Sequence, residues 1–204
     1  MSPALPFSFR MEILALVVFA WMIMYFFVNR LPVQAERRLD LGTALDRSTP
    51  FLPQFIPVYF STYPFVLLPF FIVHDERLFY IMLTSFAAIS VCATAIHALV
   101  PSKIERVEQQ DASTPSGWML GLFQKTCKPH GNFPSMHVGL SVPVVVATFL
   151  VAGPLIGSLT LFWTVLIALS TLFTKQHYIL DVLAGFLGGC VILALVFWAF
   201  SNVH

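Results

Sequence analysis

The chain has 204 residues, 58% of them hydrophobic and 10% charged, with 21 Phe, a formal net charge of +1 and a mean hydropathy of +0.83. Soluble domains carry roughly 25% charged residues, so a soluble globular fold is excluded, and the lack of a basic tract sets nucleic acid aside as a partner. The length holds about six spans of roughly 20 residues with short loops, so residues 1–204 are expected to form one integral membrane domain, an all-α bundle of six transmembrane helices.

Taken in chain order, the spans are predicted at about 13–28, 51–73, 78–100, 136–150, 155–174 and 178–200. The first, Ile13 to Val28, exceeds the usual signal-peptide core of about 7–15 residues and lacks a small-residue cleavage site, so it reads as a retained span. The connection Asn29 to Thr49 places Leu39, Leu41 and Leu45 among Arg30, Glu36, Arg37, Arg38, Asp40, Asp46 and Arg47, which predicts a short amphipathic helix in the headgroup layer. Span two carries Pro53, Pro57, Ser61, Pro64 and Pro69, and must be kinked with its freed backbone groups satisfied by neighbours. The turn His74-Asp75-Glu76-Arg77 leads to span three. A long polar stretch from Pro101 to Pro134 follows, and the Gly153-Pro154 turn separates spans four and five. Cys92 and Cys190 lie in apolar runs and Cys127 in a loop, which does not describe a disulfide framework.

Alternating spans put the end of three, the start of four, the end of five and the start of six on one face. Lys103, Arg106, Ser135, His137, Lys175, His177 and Asp181 therefore converge. His177 and Asp181 are four residues apart, one above the other on a helix, so the carboxylate can hold one imidazole nitrogen and leave the other unprotonated, the base-plus-orienter arrangement of nucleophilic catalysis. His137 stands beside Ser135 near a helix N-terminus that favours anions, placed to protonate a departing alkoxide. Lys103 and Arg106 offer fixed positive charge for a phosphoryl transition state.

Other readings of these residues stand beside that one. His74 and His97 read as interfacial anchors. A His and Asp at this spacing also match zinc ligation, although the adjacent Lys and Arg repel a cation and suit an anion. Lys128 and His130 either touch a substrate headgroup or belong to a solvated loop, and Lys175 is either a phosphate contact or a snorkelling surface lysine.

The motifs Pro134-Ser135-Met136-His137 and Ser170-Thr171, five residues, His177, three residues, Asp181 resemble the second and third signatures of the type 2 phosphatidic acid phosphatase superfamily, which also includes vanadium haloperoxidases. The resemblance covers all six spans. It implies a metal-independent enzyme without cofactor, with His177 the nucleophile that forms a phosphohistidine, Asp181 its orienter and His137 the general acid. Lys103, Arg106 and Ser135 would bind phosphate. Thr171 stands where the family has a phosphate-binding Arg, Met136 replaces a Gly, and the Lys103 to Arg106 interval is short. Thr171 is kept as a candidate phosphate contact, with Lys175 compensating for the missing Arg. These departures, with His177-Tyr178 and the segment Asp46 to Tyr63, are similar to the inositol phosphorylceramide synthase-like subfamily.

The implied substrate is a lipid phosphate or phospholipid, with water or a lipid alcohol as acceptor; a non-catalytic scaffold or transporter component that kept the bundle is the other class, against which intact His137, His177 and Asp181 speak. Oligomeric state has no signature here. Nine Lys and Arg (Arg30, Arg37, Arg38, Arg47, Lys103, Arg106, Lys125, Lys128 and Lys175) fall on the catalytic face, against Arg10 and Arg77 on the other. The positive-inside rule then points to the cytoplasm, whereas the resemblance implies a periplasmic or lumenal site, which is the expectation adopted.

Overall fold

A computed structural model describes residues 4–31, 38–107, 111–129 and 131–202; Glu36, Arg37 and His130 lie outside the described residues. Helix α1 spans Phe7–Arg30, and a two-residue strand β1, Leu39–Asp40, precedes the short α2, Ala44–Ser48. A 3-10 turn at Pro53–Phe55 runs into α3 (Ile56–Phe60) and α4 (Thr62–Ile72), and α5 covers Glu76–Leu99. Strand β2, Ser102–Lys103, pairs in parallel with β1, Leu39 opposite Ser102 and Asp40 opposite Lys103. The rest is helical: α6 Pro115–Thr126, α7 Met136–Gly139, α8 Ser141–Phe173 and α9 Ile179–Asn202.

Among the described residues, five stretches are long and apolar enough to cross a membrane, and one of them, Met136–Phe173, is 38 residues long. This stretch is two spans. Gly153 takes φ 81° and ψ 178° ahead of Pro154, and the hydroxyls of Thr148 and Thr160 meet at 2.6 Å, although twelve residues of straight helix would hold them about 18 Å apart. The chain folds back at Gly153-Pro154 into a hairpin, giving the six-limbed all-α bundle of a multi-pass membrane protein.

Side chains explain the arrangement. Leu16, Phe19, Phe27, Leu187, Leu195 and Trp198 are exposed, as helices facing lipid require. Between α4, α5, α8 and α9 lies a core of Phe70, Phe79, Met82, Phe86, Ile89, Val144, Ala147 and Leu193, with Phe70 stacked on Phe86 and edge-on to Phe79. Span two is broken as its prolines require. At the break, Ser61 Oγ donates to Val58 O at 2.6 Å and Thr62 Oγ1 to Tyr59 O at 2.8 Å, and Trp163 Nε1 reaches Ser61 Oγ from α8.

Arg10 and Arg77 both close helix ends. Arg10, 2% exposed, donates to the carbonyls of Phe70 and Phe71 at 2.9 and 3.0 Å, and Arg77 donates to Phe200 O at 2.7 Å. Such cations suit the partial negative charge of a helix C-terminus.

Two short helices lie in the polar connections. The described part of the Asn29 to Thr49 connection holds strand β1 and the five-residue helix α2, in which Asp46 is buried. The polar stretch after span three contains α6, started by Thr114, whose side chain accepts from Gly117 N, with Pro115 at the first helical position. Short apolar content hid it, although Thr-Pro is a helix-start signal.

Candidate active site

The two histidine motifs meet where α7 begins and α9 begins. The loop before α7 is fixed from three sides. Ser102 Oγ accepts from the backbone N–H groups of Asn132 and Phe133, both at 3.0 Å, His97 Nε2 donates to Pro134 O at 2.9 Å, and Ser135 N donates to Asp181 O at 2.9 Å. The Phe133-Pro134 peptide is cis. His97 is thus a buried brace of the loop and not an interfacial anchor.

On the other side, the N–H groups of Gln176 and His177 both donate to Thr171 O, at 2.9 and 3.1 Å, turning the chain back at the end of α8. Asp181 Oδ2 accepts from Tyr178 N at 2.8 Å and lies 3.3 Å from His177 Nδ1. Because one carboxylate oxygen faces His177 Nδ1, that nitrogen is the donor of the pair, and in the neutral ring Nε2 carries the lone pair. His137 Nδ1 stands 3.2 Å from His177 Nε2. The result is a line from Asp181 through His177 to His137, with Asp181 and His177 only 1% and 6% exposed.

Helix contact, as well as sequence, brings the motifs together. Gly185 and Gly189 lie one and two turns after Asp181 on the same face of α9. A Cβ on Gly185 would collide with the carbonyl oxygen of Ser135, and one on Gly189 would stand 2.6 Å from that of Gly139. This Gly-x-x-x-Gly stripe lets α9 approach α7 at backbone distance. It was visible in the sequence as a spacing.

A wall of rings covers His137. The Tyr59 ring centroid is 4.5 Å from that of His137, Phe123 of α6 lies 5.3 Å from Tyr59, and Tyr63 is 6.3 Å from His137.

The expected phosphate contacts separate into two groups. Ser135 is 1% exposed, and neither its Oγ nor Asp181 Oδ1 has a hydrogen-bond partner among the described residues. The others have partners. Lys103 Nζ pairs with Asp40 Oδ2 at 2.9 Å on the rim, which raises the lysine's pKa and lowers the aspartate's through their hydrogen bond. Arg106 donates to Gln124 O at 2.8 Å and Cys127 O at 2.6 Å, closing the end of α6. Its segment is nevertheless tied to the site, because Glu105 N donates to the Tyr178 hydroxyl at 3.1 Å. Thr171 Oγ1 is buried and donates to Ala168 O at 2.7 Å, and Lys175 Nζ donates to Asp46 O and Thr49 O at 2.7 and 2.6 Å.

The PAP2 superfamily matches residues 76–204. The chain belongs to the PAP2 superfamily. That family membership makes it an enzyme class acting on phosphoesters, by phosphatase or phosphotransferase chemistry. No curated protein and no solved structure matches the chain. The matched part of this PAP2 chain holds Lys103, Arg106, Phe123, Ser135, His137, Thr171, Lys175, His177 and Asp181, whereas Asp46, Tyr59 and Tyr63 come from the segment before it. No group of three or more His, Cys, Asp or Glu side chains able to hold a metal ion occurs among the described residues.

Proposed function

We propose that this chain is a lipid phosphatase or phosphotransferase working through a phosphohistidine at His177, in the lipid-modifying branch of the family. The observation that carries this is the line Asp181 Oδ2, His177 Nδ1, His177 Nε2, His137 Nδ1, an oriented imidazole with its lone pair facing a second titratable ring. In the first step His177 Nε2 attacks phosphorus, the bond from phosphorus to the lipid oxygen breaks, and protonated His137 gives its proton to the departing alkoxide. In the second step neutral His137 takes a proton from water or an alcohol, whose oxygen attacks phosphorus and releases His177. In-line displacement sets attacking and departing atoms on opposite sides of phosphorus, so substrate enters between the two rings and their hydrogen bond opens. Ser135 Oγ binds a phosphoryl oxygen, with Lys103 and Arg106 supplying positive charge from the rim.

A lipid alcohol as acceptor is favoured over water by the burial of His177 and Asp181 and by the rings of Tyr59, Tyr63 and Phe123 beside His137. The active site is assigned to the periplasmic or lumenal face, against the count of positive charge, and cysteine-accessibility labelling of the 38–49 segment tests that assignment.

The decisive experiment incubates purified protein with a panel of lipid phosphates and phospholipids, with and without a lipid alcohol, and traps the phosphoenzyme. Wild type forms an acid-labile, base-stable phosphoprotein and His177→Ala forms none. A fully active His177→Ala protein would overturn the mechanism.

A further inference from the structure

The turn that carries His177 is gripped on both flanks by one short segment about 130 residues earlier in the chain. On the far side of His177, Asp46 Oδ1 accepts from Ile179 N, the first residue of α9, at 2.8 Å. On the near side, Lys175 Nζ reaches the carbonyls of Asp46 and Thr49 at 2.7 and 2.6 Å. Asp46 is itself fixed, because its Oδ2 accepts from Thr43 N at 2.8 Å and Thr43 Oγ1 at 2.6 Å in the capping box of α2. The carboxylate is 6% exposed. Lys175 takes φ 54°, a left-handed conformation that a non-glycine side chain holds only when its surroundings impose it.

We infer that Asp46 is a positioning residue for the nucleophile, acting with Lys175 as a clamp on residues 175–179. The inference rests on the reading of His177 as the nucleophile. The first N–H groups of α9 have no partner inside the helix. Asp181 takes that of Tyr178 from within the helix, and Asp46 takes that of Ile179 from outside. Two fixed carboxylates therefore pin the turn from which Asp181 meets His177 Nδ1, and negative charge there also suits the helix N-terminus. Lys175 serves this clamp, its ammonium ending on carbonyls of the α2 segment. Gly42 closes the segment against Tyr178, with a Cβ position 3.1 Å from the ring.

The test uses the full chain as wild type, Asp46→Ala, Asp46→Asn and Lys175→Met, measuring kcat and KM on a short-chain phosphatidic acid, the inhibition constant for vanadate, and thermal unfolding. Misplacing a reacting group by about 1 Å costs on the order of 100-fold in rate, so Asp46→Ala and Lys175→Met are expected to lower kcat by about 10–100-fold and to weaken inhibition by vanadate, a five-coordinate mimic of the transition state, in parallel, while KM stays near wild type. Asp46→Asn keeps an oxygen acceptor for Ile179 N and recovers most of kcat. Wild-type kcat in Asp46→Ala overturns the clamp, as does Lys175→Met with unchanged kcat and a raised KM, which would make Lys175 a substrate ligand. If Asp46→Ala fails to fold, Asp46→Asn and Lys175→Met decide by the same split. Failure of the underlying reading is distinct: wild type would then form no phosphohistidine.

Discussion

Gly185 of α9 lies so close to Ser135 that a methyl group on the glycine would collide with the serine carbonyl oxygen. Because Ser135 N also donates to Asp181 O, the loop carrying the second histidine motif rests directly on the helix carrying the third. Gly185→Ala is expected to destabilise the protein by about 1–3 kcal/mol, the usual cost of overpacking, and to lower activity by separating His137 from His177. Gly188, with no atom within 4 Å of its Cβ position, is the control: Gly188→Ala should be neutral or slightly stabilising, since Ala exceeds Gly in helix propensity. Thermal unfolding in detergent together with turnover checks both.

Asp181 Oδ2 serves both Tyr178 N and His177 Nδ1. Asp181→Asn is expected to preserve the helix start yet permit the wrong imidazole tautomer, with a loss of up to about 10⁴-fold in kcat and residual turnover. Single-turnover phosphoenzyme formation measures it; wild-type rates would mean that Asp181 does not orient His177.

His137 is proposed as the proton donor to the leaving group. His137→Ala is therefore expected to lose about 10²–10⁴-fold on an alkyl phosphate and far less on an aryl phosphate, whose leaving group departs unaided. Parallel kinetics on the two substrates test this, and equal losses would assign His137 to binding.

His97 braces the loop ahead of Ser135 through Pro134 O. His97→Leu should cost about 1 kcal/mol of stability for the lost hydrogen bond, and lower kcat by loosening Ser135 and His137. His97→Gln, which retains an N–H donor, should recover part of both. Unfolding curves and kcat on the same preparations give the comparison.

The sequence by itself determined the apolar spans and the meeting of His137 with His177. Low charge and long apolar runs leave no other solvent than lipid, and the parity of the crossings forces His137 and His177 to one face. Prolines in span two and Gly153-Pro154 dictated a kink and a reversal, and both occur. The family signatures around His137, His177 and Asp181 were legible because they are local in the chain.

Tertiary structure alone decided the partners of the cations and the braces of the site. Lys103, Arg106 and Lys175 look alike in sequence, as positive charges near a phosphoryl site, but a long flexible side chain ends where an acceptor lies in space. Here those acceptors are Asp40, the end of α6 and the carbonyls of Asp46 and Thr49. Asp46 stands some 130 residues from Ile179, and His97 is 37 from Pro134, so no local periodicity could join them. Buried donors and acceptors must find partners wherever the packing supplies them, and only the folded bundle fixes which ones they are.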